Sequence, residues 1–590
     1  MKKMDQSSQF SPMSLADWTQ KVSEELKGAS PEKLVTQTED GLTLQPYYTA
    51  ESLTEAVKQH LPGDRPYRRG LRANHNDWVI FEAFSTENPQ QNNAAILTAL
   101  MQGTEGLYLQ GSIADSQHFG TLTRDILPQY LVLCFRGTDP VKLAGWLRAW
   151  ADENELPPLA LRGSAGYDPL TATFFGESVR ALPLAELTNL YQKELPAFLP
   201  ITVGAAKFRQ IGASLVQELG LALAMGNAYI QQLLTDGLTI DQATPALQFE
   251  LATGTDYFAE IAKYRAFRQL WAGLVAAYEP AHSCTAAANV LAFSASPVLS
   301  AIDPHTNLLR LTTAAMSAVL GGVHGLCLHA YDQPVNGGSA LGSELSRNIQ
   351  LLLKHEALLD KVVDPAAGSY YIEQLTDQLS DKAWAFFQEI EARGGYQAVV
   401  QDGWLQQQIN QHREKLVEAV AKRQKTLVGV NQYPDRKTEV TVDFNNDQFR
   451  LSAGFEKLWW RTQQAAQKPR ILLLAVGESS TRQARATFVA NFMACAGFTL
   501  LENNGFDALA TAIDYARSTP ADMVILCSND ESYPSLVPEF CAALGKNTLL
   551  GLAGLPAEQA SYQAAGIDYF IHLRAPLLET LQELQNRLLP

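Results

Sequence analysis

The sequence predicts an α/β chain in two folded parts. An N-terminal (β/α)8 TIM barrel is joined by a helical linker to a C-terminal flavodoxin-like, doubly wound domain. Three observations carry this. Between about residues 76 and 375, short β-branched or aromatic runs alternate with long helical stretches, the signature of parallel strands with helical crossovers. From residue 470, five apolar runs recur about every 25 residues, each followed by a helical stretch. And 590 residues with 46% apolar content supply a large core.

In chain order, SLADWTQKVSEELKG (14–28) reads as an amphipathic helix with Leu15, Trp18, Val22 and Leu26 on one face and Gly28 as C-cap. The chain then runs extended through Pro31 and GLTLQPYY. Residues 1–50 are therefore an arm, which either packs on its own barrel or wraps a neighbour. Residues 51–375 form the barrel, with WVIFEAF, GLYLQGS, QYLVLCFRG, VLAFSAS and GLCLHAY as its clearest strands. Residues 376–468 are a helical extension and linker, nearly continuous helix to about residue 428, then polar, then a connecting helix GFEKLWWRTQQAAQ. Residues 469–590 carry five βα units on RILLLAVG, FTLLEN, MVILCSN, TLLGLAG and YFIHLR.

Composition narrows the function. With 46 Lys+Arg against 62 Asp+Glu, the net charge of −16 argues against nucleic acid as a partner. Charged residues make up only 18%, which fits a chain that buries surface against another protein, although size alone also favours burial. There is no run of about 18 apolar residues, so no membrane span is expected, and the N-terminus lacks the apolar core of a signal peptide. Cys134, Cys284, Cys327, Cys495, Cys527 and Cys541 form no C-x-x-C pair, so free thiols in a reducing cytoplasm are expected, without a zinc site.

The turns after the C-terminal strands are where such folds bind ligands. GESSTR, after the first, has the look of a serine N-cap rather than a phosphate loop. Glu478 and Asp530 faintly resemble a phospho-acceptor site, but the fifth strand ends in His572 and Arg574 where that chemistry needs a lysine. No histidine lies between His412 and His572. His324 and His329, five apart at a strand end, are expected on opposite faces and so do not share a metal. G-x-S-x-G and H-E-x-x-H are absent, and no glycosidase-like carboxylate pair is evident.

The arm DWTQKVSEELKGASPEKLVTQTEDGLTLQPYYT resembles that of a known family. So do PGDRPYRRG followed by Trp78 and FST, the long segment from GASLVQELGLALAMGNAYIQQLL to YRAFRQLWA, LGGVHGLCLHAYDQP and VVDPAAGSYYIEQLTDQL. In order and spacing these are similar to the coenzyme-B12-dependent acyl-CoA mutases, specifically the methylmalonyl-CoA mutase family, over nearly the whole chain. The resemblance implies a B12-binding-type C-terminal domain and radical isomerisation of an acyl-CoA.

The departures matter more. The family's cobalt-ligating Asp-x-His-x-x-Gly corresponds to Gly477–Ala484, which has no Asp, His or closing Gly. Its later Gly-Gly is reduced to Gly551-Leu-Ala-Gly554. The catalytic histidine of Tyr-His-x-Gln-Glu-Ala-Gly-Ala falls on Lys207, two residues before Arg209. The tyrosine ahead of Trp78 is missing from LRANHND (71–77). The Gln, His and Asn of Gly-Gly-Thr-Gln-Ser-Leu-His-Thr-Asn become His324, Cys327 and His329.

This pattern implies the small, non-catalytic subunit of a heterodimer. Adenosylcobalamin and the chemistry would sit on a large catalytic subunit, and this chain would carry no catalytic, cofactor-binding or metal residues. Bulky residues would then fill the barrel axis. Two alternatives stand beside it: a self-sufficient mutase holding cobalamin in another way, and a non-catalytic acyl-CoA-binding or cofactor-escort protein on a degenerate mutase fold.

Overall fold

A computed structural model describes residues 13–53, 60–335, 337–437, 448–545 and 548–589. Eight parallel strands close a barrel: β1 (Val79–Ser85), β2 (Gly106–Gln110), β3 (Val132–Arg136), β4 (Arg162–Tyr167), β5 (Phe198–Val203), β6 (Leu247–Thr253), β7 (Asn289–Ser294) and β8 (Gly325–Cys327). β8 returns to β1 through Gly325↔Val79, Leu326↔Ile80 and Cys327↔Phe81, which leaves no sheet edge. β4, β5 and β6 were not among the runs singled out in the sequence.

The C-terminal sheet holds β9 (Arg470–Ala475), β10 (Thr499–Leu501), β11 (Met523–Cys527), β12 (Leu549–Ala553) and β13 (Tyr569–Ile571), all parallel in the order β10-β9-β11-β12-β13. This is the flavodoxin-like order the sequence predicts.

The arm divides in two. Helix α1 (Leu15–Glu25) starts at a capping box in which Ser14 and Asp17 bond reciprocally, yet none of its residues is buried. Its main anchor is Trp18, stacked on Tyr47 at 5.1 Å. The two-stranded ribbon Thr36–Gln37/Thr43–Leu44 instead belongs to the barrel. Leu42 is fully buried in the main core. The backbone of Thr43 bonds both ends of the Gln378 carboxamide, at 2.8 and 3.0 Å. Asp40 accepts from the Leu215 amide at 2.7 Å, at the start of α2 (Leu215–Thr235).

Two motifs far apart in sequence meet in a buried ionic clamp on the barrel wall. Arg68 of PGDRPYRRG pairs with Glu373 at 2.7 Å and Asp377 at 2.6 Å, and Arg265 of α3 (Tyr257–Ala276) pairs with Asp364 and Glu373. Opposite charges with matched hydrogen bonds make such burial tolerable.

After β8 come α4 (Ala340–His355) and α5 (Tyr370–Ala392). The predicted continuous helix beyond residue 375 is broken. Gly394, Gly395 and Gly403 have φ of +100°, +84° and +76°, which L side chains rarely adopt, and they separate α5 from α6 (Tyr396–Gln401) and α7 (Trp404–Ala421). The connecting helix α8 (Ala453–Gln464) then leads to β9, and α9 (Ser479–Ala494) follows β9.

Candidate functional site

Enzymes on this fold work at the carboxyl ends of the barrel strands, so the lumen and mouth come first. The lumen is full. Phe81 of β1 lies between β2 and β8, and both flanking positions are glycine. A Cβ on Gly106 or Gly325 would fall 2.6 or 2.5 Å from the ring, so only glycine admits it. Tyr108, Cys134, Leu291 and Cys327 pack with Phe81, and Phe293 meets the Tyr108 ring edge-on at 4.9 Å. The expected bulky filling of the axis is what the side chains provide.

Above this layer is a polar network from several strands. Tyr108 donates to Glu250 at 2.9 Å. Arg136 meets Asp168 at 3.0 Å and Glu250 at 3.9 Å. Asp168 also accepts from Tyr229 at 2.8 Å and from the Gly204 amide at 3.0 Å. Burial raises the Glu250 carboxyl, and the neighbouring guanidinium works against that rise. The charge of Arg136 is thus balanced by this chain's own carboxylates, although its buried Nη1 makes no hydrogen bond. Burial pushes the Cys134 thiol up to about 12 and raises Cys327 further, so neither is a thiolate at neutral pH.

Lys207 and Arg209 follow β5 at the mouth. Lys207 pairs with Glu177 at 2.7 Å and lies over Phe175. Arg209 turns into the wall, 3.5 Å from Glu260 and 3.9 Å from Glu218, beside fully buried Lys263, which contacts Glu260 and Glu218 at 2.5 and 3.2 Å. The mouth over β5–β7 is roofed by Glu39 and Asp40 of the ribbon, His412 and Leu416 of α7, and Phe449, leaving about 70 Å³.

The two histidines of GGVHGLCLHAY are separated differently from expectation. His324 precedes β8 and accepts from the Val290 amide at the start of β7. His329 lies beyond β8 and bonds Ser294 at the end of β7. They occupy opposite ends of the strand rather than opposite faces.

In the C-terminal domain, the turn after β9 corrects the serine-cap reading. Gly477 takes φ +96°, and Glu478 is the N-cap of α9. Its carboxylate accepts from the amides of Ser480 and Thr481 and from their hydroxyls at 2.6 and 2.7 Å. Those bonds hold it down at about 2. An anion of the chain itself already occupies the helix N-terminus. Beyond it, Arg485 pairs with Asp530 at 2.9 Å and donates to the Ala553 carbonyl, against Gly554. Buried Tyr533 donates to Ala553 at 2.6 Å and accepts from the Ser528 amide at 3.1 Å. Glu478 and Asp530 are thus each engaged, and no group of three or more His, Cys, Asp or Glu among the described residues is placed to hold a metal. No helix among them is long and apolar enough to cross a membrane.

The methylmalonyl-CoA mutase family model matches residues 37–121 and 111–467. The chain belongs to the methylmalonyl-CoA mutase family. It is 31% identical to the "Methylmalonyl-CoA mutase small subunit" of Porphyromonas gingivalis over 98% of both chains. To the protein of the same name from Streptomyces virginiae it is 31% identical, over 92% of this chain and 91% of that one. Against the "Methylmalonyl-CoA mutase" of Cereibacter sphaeroides it is 30% identical over 70% of this chain and 64% of the other.

The family uses cobalamin, and the residues at the C-terminal turn do not fit it. Cobalt coordination needs a neutral imidazole with an oriented partner. Here that turn presents a capped carboxylate, and the domain's one histidine, His572, lies past β13. Arg485 and Tyr533 both bond the Ala553 carbonyl at the end of β12.

Proposed function

We propose that this chain is the small, non-catalytic subunit of a heterodimeric methylmalonyl-CoA mutase. The complex interconverts methylmalonyl-CoA and succinyl-CoA, with adenosylcobalamin held by the larger subunit. The observation that carries the reading is the turn after β9, where Glu478 caps α9 in place of a cobalt-ligating histidine. Three further features support it. Phe81 closes the barrel axis. Arg136 is charge-balanced inside the barrel by Asp168 at 3.0 Å and Glu250 at 3.9 Å. And the relatives matched over almost their whole length carry small-subunit names.

The chain's role is then to stabilise its partner across a large interface; obligate interfaces run above about 2,000 Å². Helix α1, amphipathic and without a buried residue, is the part of the arm that reaches the larger chain. The test is the native mass of the untagged chain purified gently from its own cells. A 1:1 complex with a larger, corrin-carrying chain is expected. A stable monomer or homodimer without corrin overturns the reading.

A further inference from the structure

The barrel mouth is roofed over β5–β7 but not on its other side. A cavity of about 230 Å³ remains at the carboxyl ends of β1, β2 and β8, against α4. Its floor is aromatic, formed by Phe81 and Phe293.

The charged groups in its wall cancel each other. Arg347, almost fully buried, pairs with Glu82 at 2.6 Å and also bonds Gln102. The Arg347 Nε is buried without a partner; the remaining polar groups that face a ligand are neutral. The Nδ1 of His329 shares a 2.8 Å hydrogen bond with Ser294, whose hydroxyl oxygen also accepts from the His329 amide, and this fixes the ring. Burial pulls that imidazole down to about 4, so it is uncharged at neutral pH. Its Nε2 has no partner among the described residues. The same holds for the carboxamides of Gln110 and Gln333 and the hydroxyl of Ser343, all in the cavity wall. Gln350, also in the wall, has a buried Oε1 without a partner.

We propose that this cavity is a binding site for a small, uncharged, flat molecule of the carboxamide or nitrogen-heterocycle class. Its edge is matched by amide, hydroxyl and imidazole groups, and its face rests on Phe81 and Phe293. An ion would be desolvated beside an arginine that is already neutralised, with nothing left to balance it. A purely apolar ligand would leave several polar groups unpaired, a cost of roughly 1–3 kcal/mol for each buried one. A flat donor–acceptor molecule meets both demands. Burial holds its cysteine, Cys327, as the thiol. The inference rests on the barrel alone and is independent of the subunit reading.

The test uses the full chain and titration calorimetry, with nicotinamide and uracil as flat neutral probes and succinate and glycerol as controls. Saturable binding of at least one flat probe, and none of the controls, is expected. Ser343→Phe, which projects a ring from α4 into the cavity, lowers that affinity at least about tenfold, while Ser343→Ala retains it. Should Ser343→Phe not fold, Gln333→Trp on the facing turn fills the same space. The proposal is overturned if neither probe saturates, if succinate binds as tightly, or if filling the cavity leaves binding unchanged.

Discussion

The plug of the barrel axis is open to a direct test through its two glycines. In Gly325→Ala the new Cβ falls 2.5 Å from the Phe81 ring and 3.1 Å from a Leu291 methyl. The ring has no easy retreat, because on its far side the Cβ position of Gly106 is 2.6 Å away. Neither glycine has a positive φ, so alanine is disfavoured by space alone. Overpacking of this kind costs about 1–3 kcal/mol. At roughly 2–4 °C per kcal/mol for a domain of this size, the barrel's melting midpoint should fall by about 2–12 °C. Phe81→Leu removes the ring that clashes. The double variant Phe81→Leu/Gly325→Ala should therefore be more stable than the sum of the single losses predicts, by about 1–2 kcal/mol. Scanning calorimetry on the four proteins reads both quantities. A Gly325→Ala midpoint within about 1 °C of the parent, or strictly additive losses, would refute the claim that Phe81 is wedged between β2 and β8.

Three other outcomes follow from the same geometry. Glu478→Ala should lower the melting midpoint of the C-terminal domain at neutral pH. Because the folded carboxyl titrates at about 2, below its usual value, its contribution is complete above about 4.5. It fades as pH falls towards 2, so parent and variant curves should converge there and nowhere higher. His324 and His329 are held neutral by burial, at about 3 and about 4, and Arg72 and Arg268 near His324 add to its depression. The unfolded chain binds those protons first, so the barrel should lose stability as pH drops from about 6.5 towards 4. Melting curves of His324→Gln and His329→Asn should show a shallower acid slope; an unchanged slope removes the histidines as its cause. Deleting residues 1–28 should leave the barrel's melting midpoint nearly unchanged while weakening the proposed heterodimer. Deleting residues 1–45 should also destabilise the barrel, because it removes buried Leu42 and the Thr43–Gln378 bonds. Equal stability losses from both deletions would show that α1 packs on its own barrel.

Most strands legible in the sequence are announced by apolar and aromatic side chains; β5, FLPITV, is apolar too but is interrupted by Pro200, which reads against a strand. β4 was hidden because RGSAGY carries Gly163 and Gly166, where an added Cβ would meet the Leu133 and Phe135 carbonyls. β6 was hidden because Gln248 and Glu250 face the lumen, and their partners Cys134, Tyr108 and Arg136 come from other strands. The missing cobalt ligand was plain in the sequence, since no histidine stands near residue 478. What replaces it was not plain. Glutamate is not among the favoured N-cap residues, and only the turn at Gly477 brings its carboxylate back over the amides of Ser480 and Thr481.

An open axis and an unpaired arginine would both be costly in a close-packed interior. Here the axis holds a ring seated between two glycines, Arg136 has two carboxylates, and α9 carries its own anion. Each adjustment lies in a different part of the molecule, and each stabilises the fold locally. Together they describe an interior balanced locally in each part of the chain, as the proposed subunit role requires. The neutral cavity beside β8 is the part of the mouth that was not filled in.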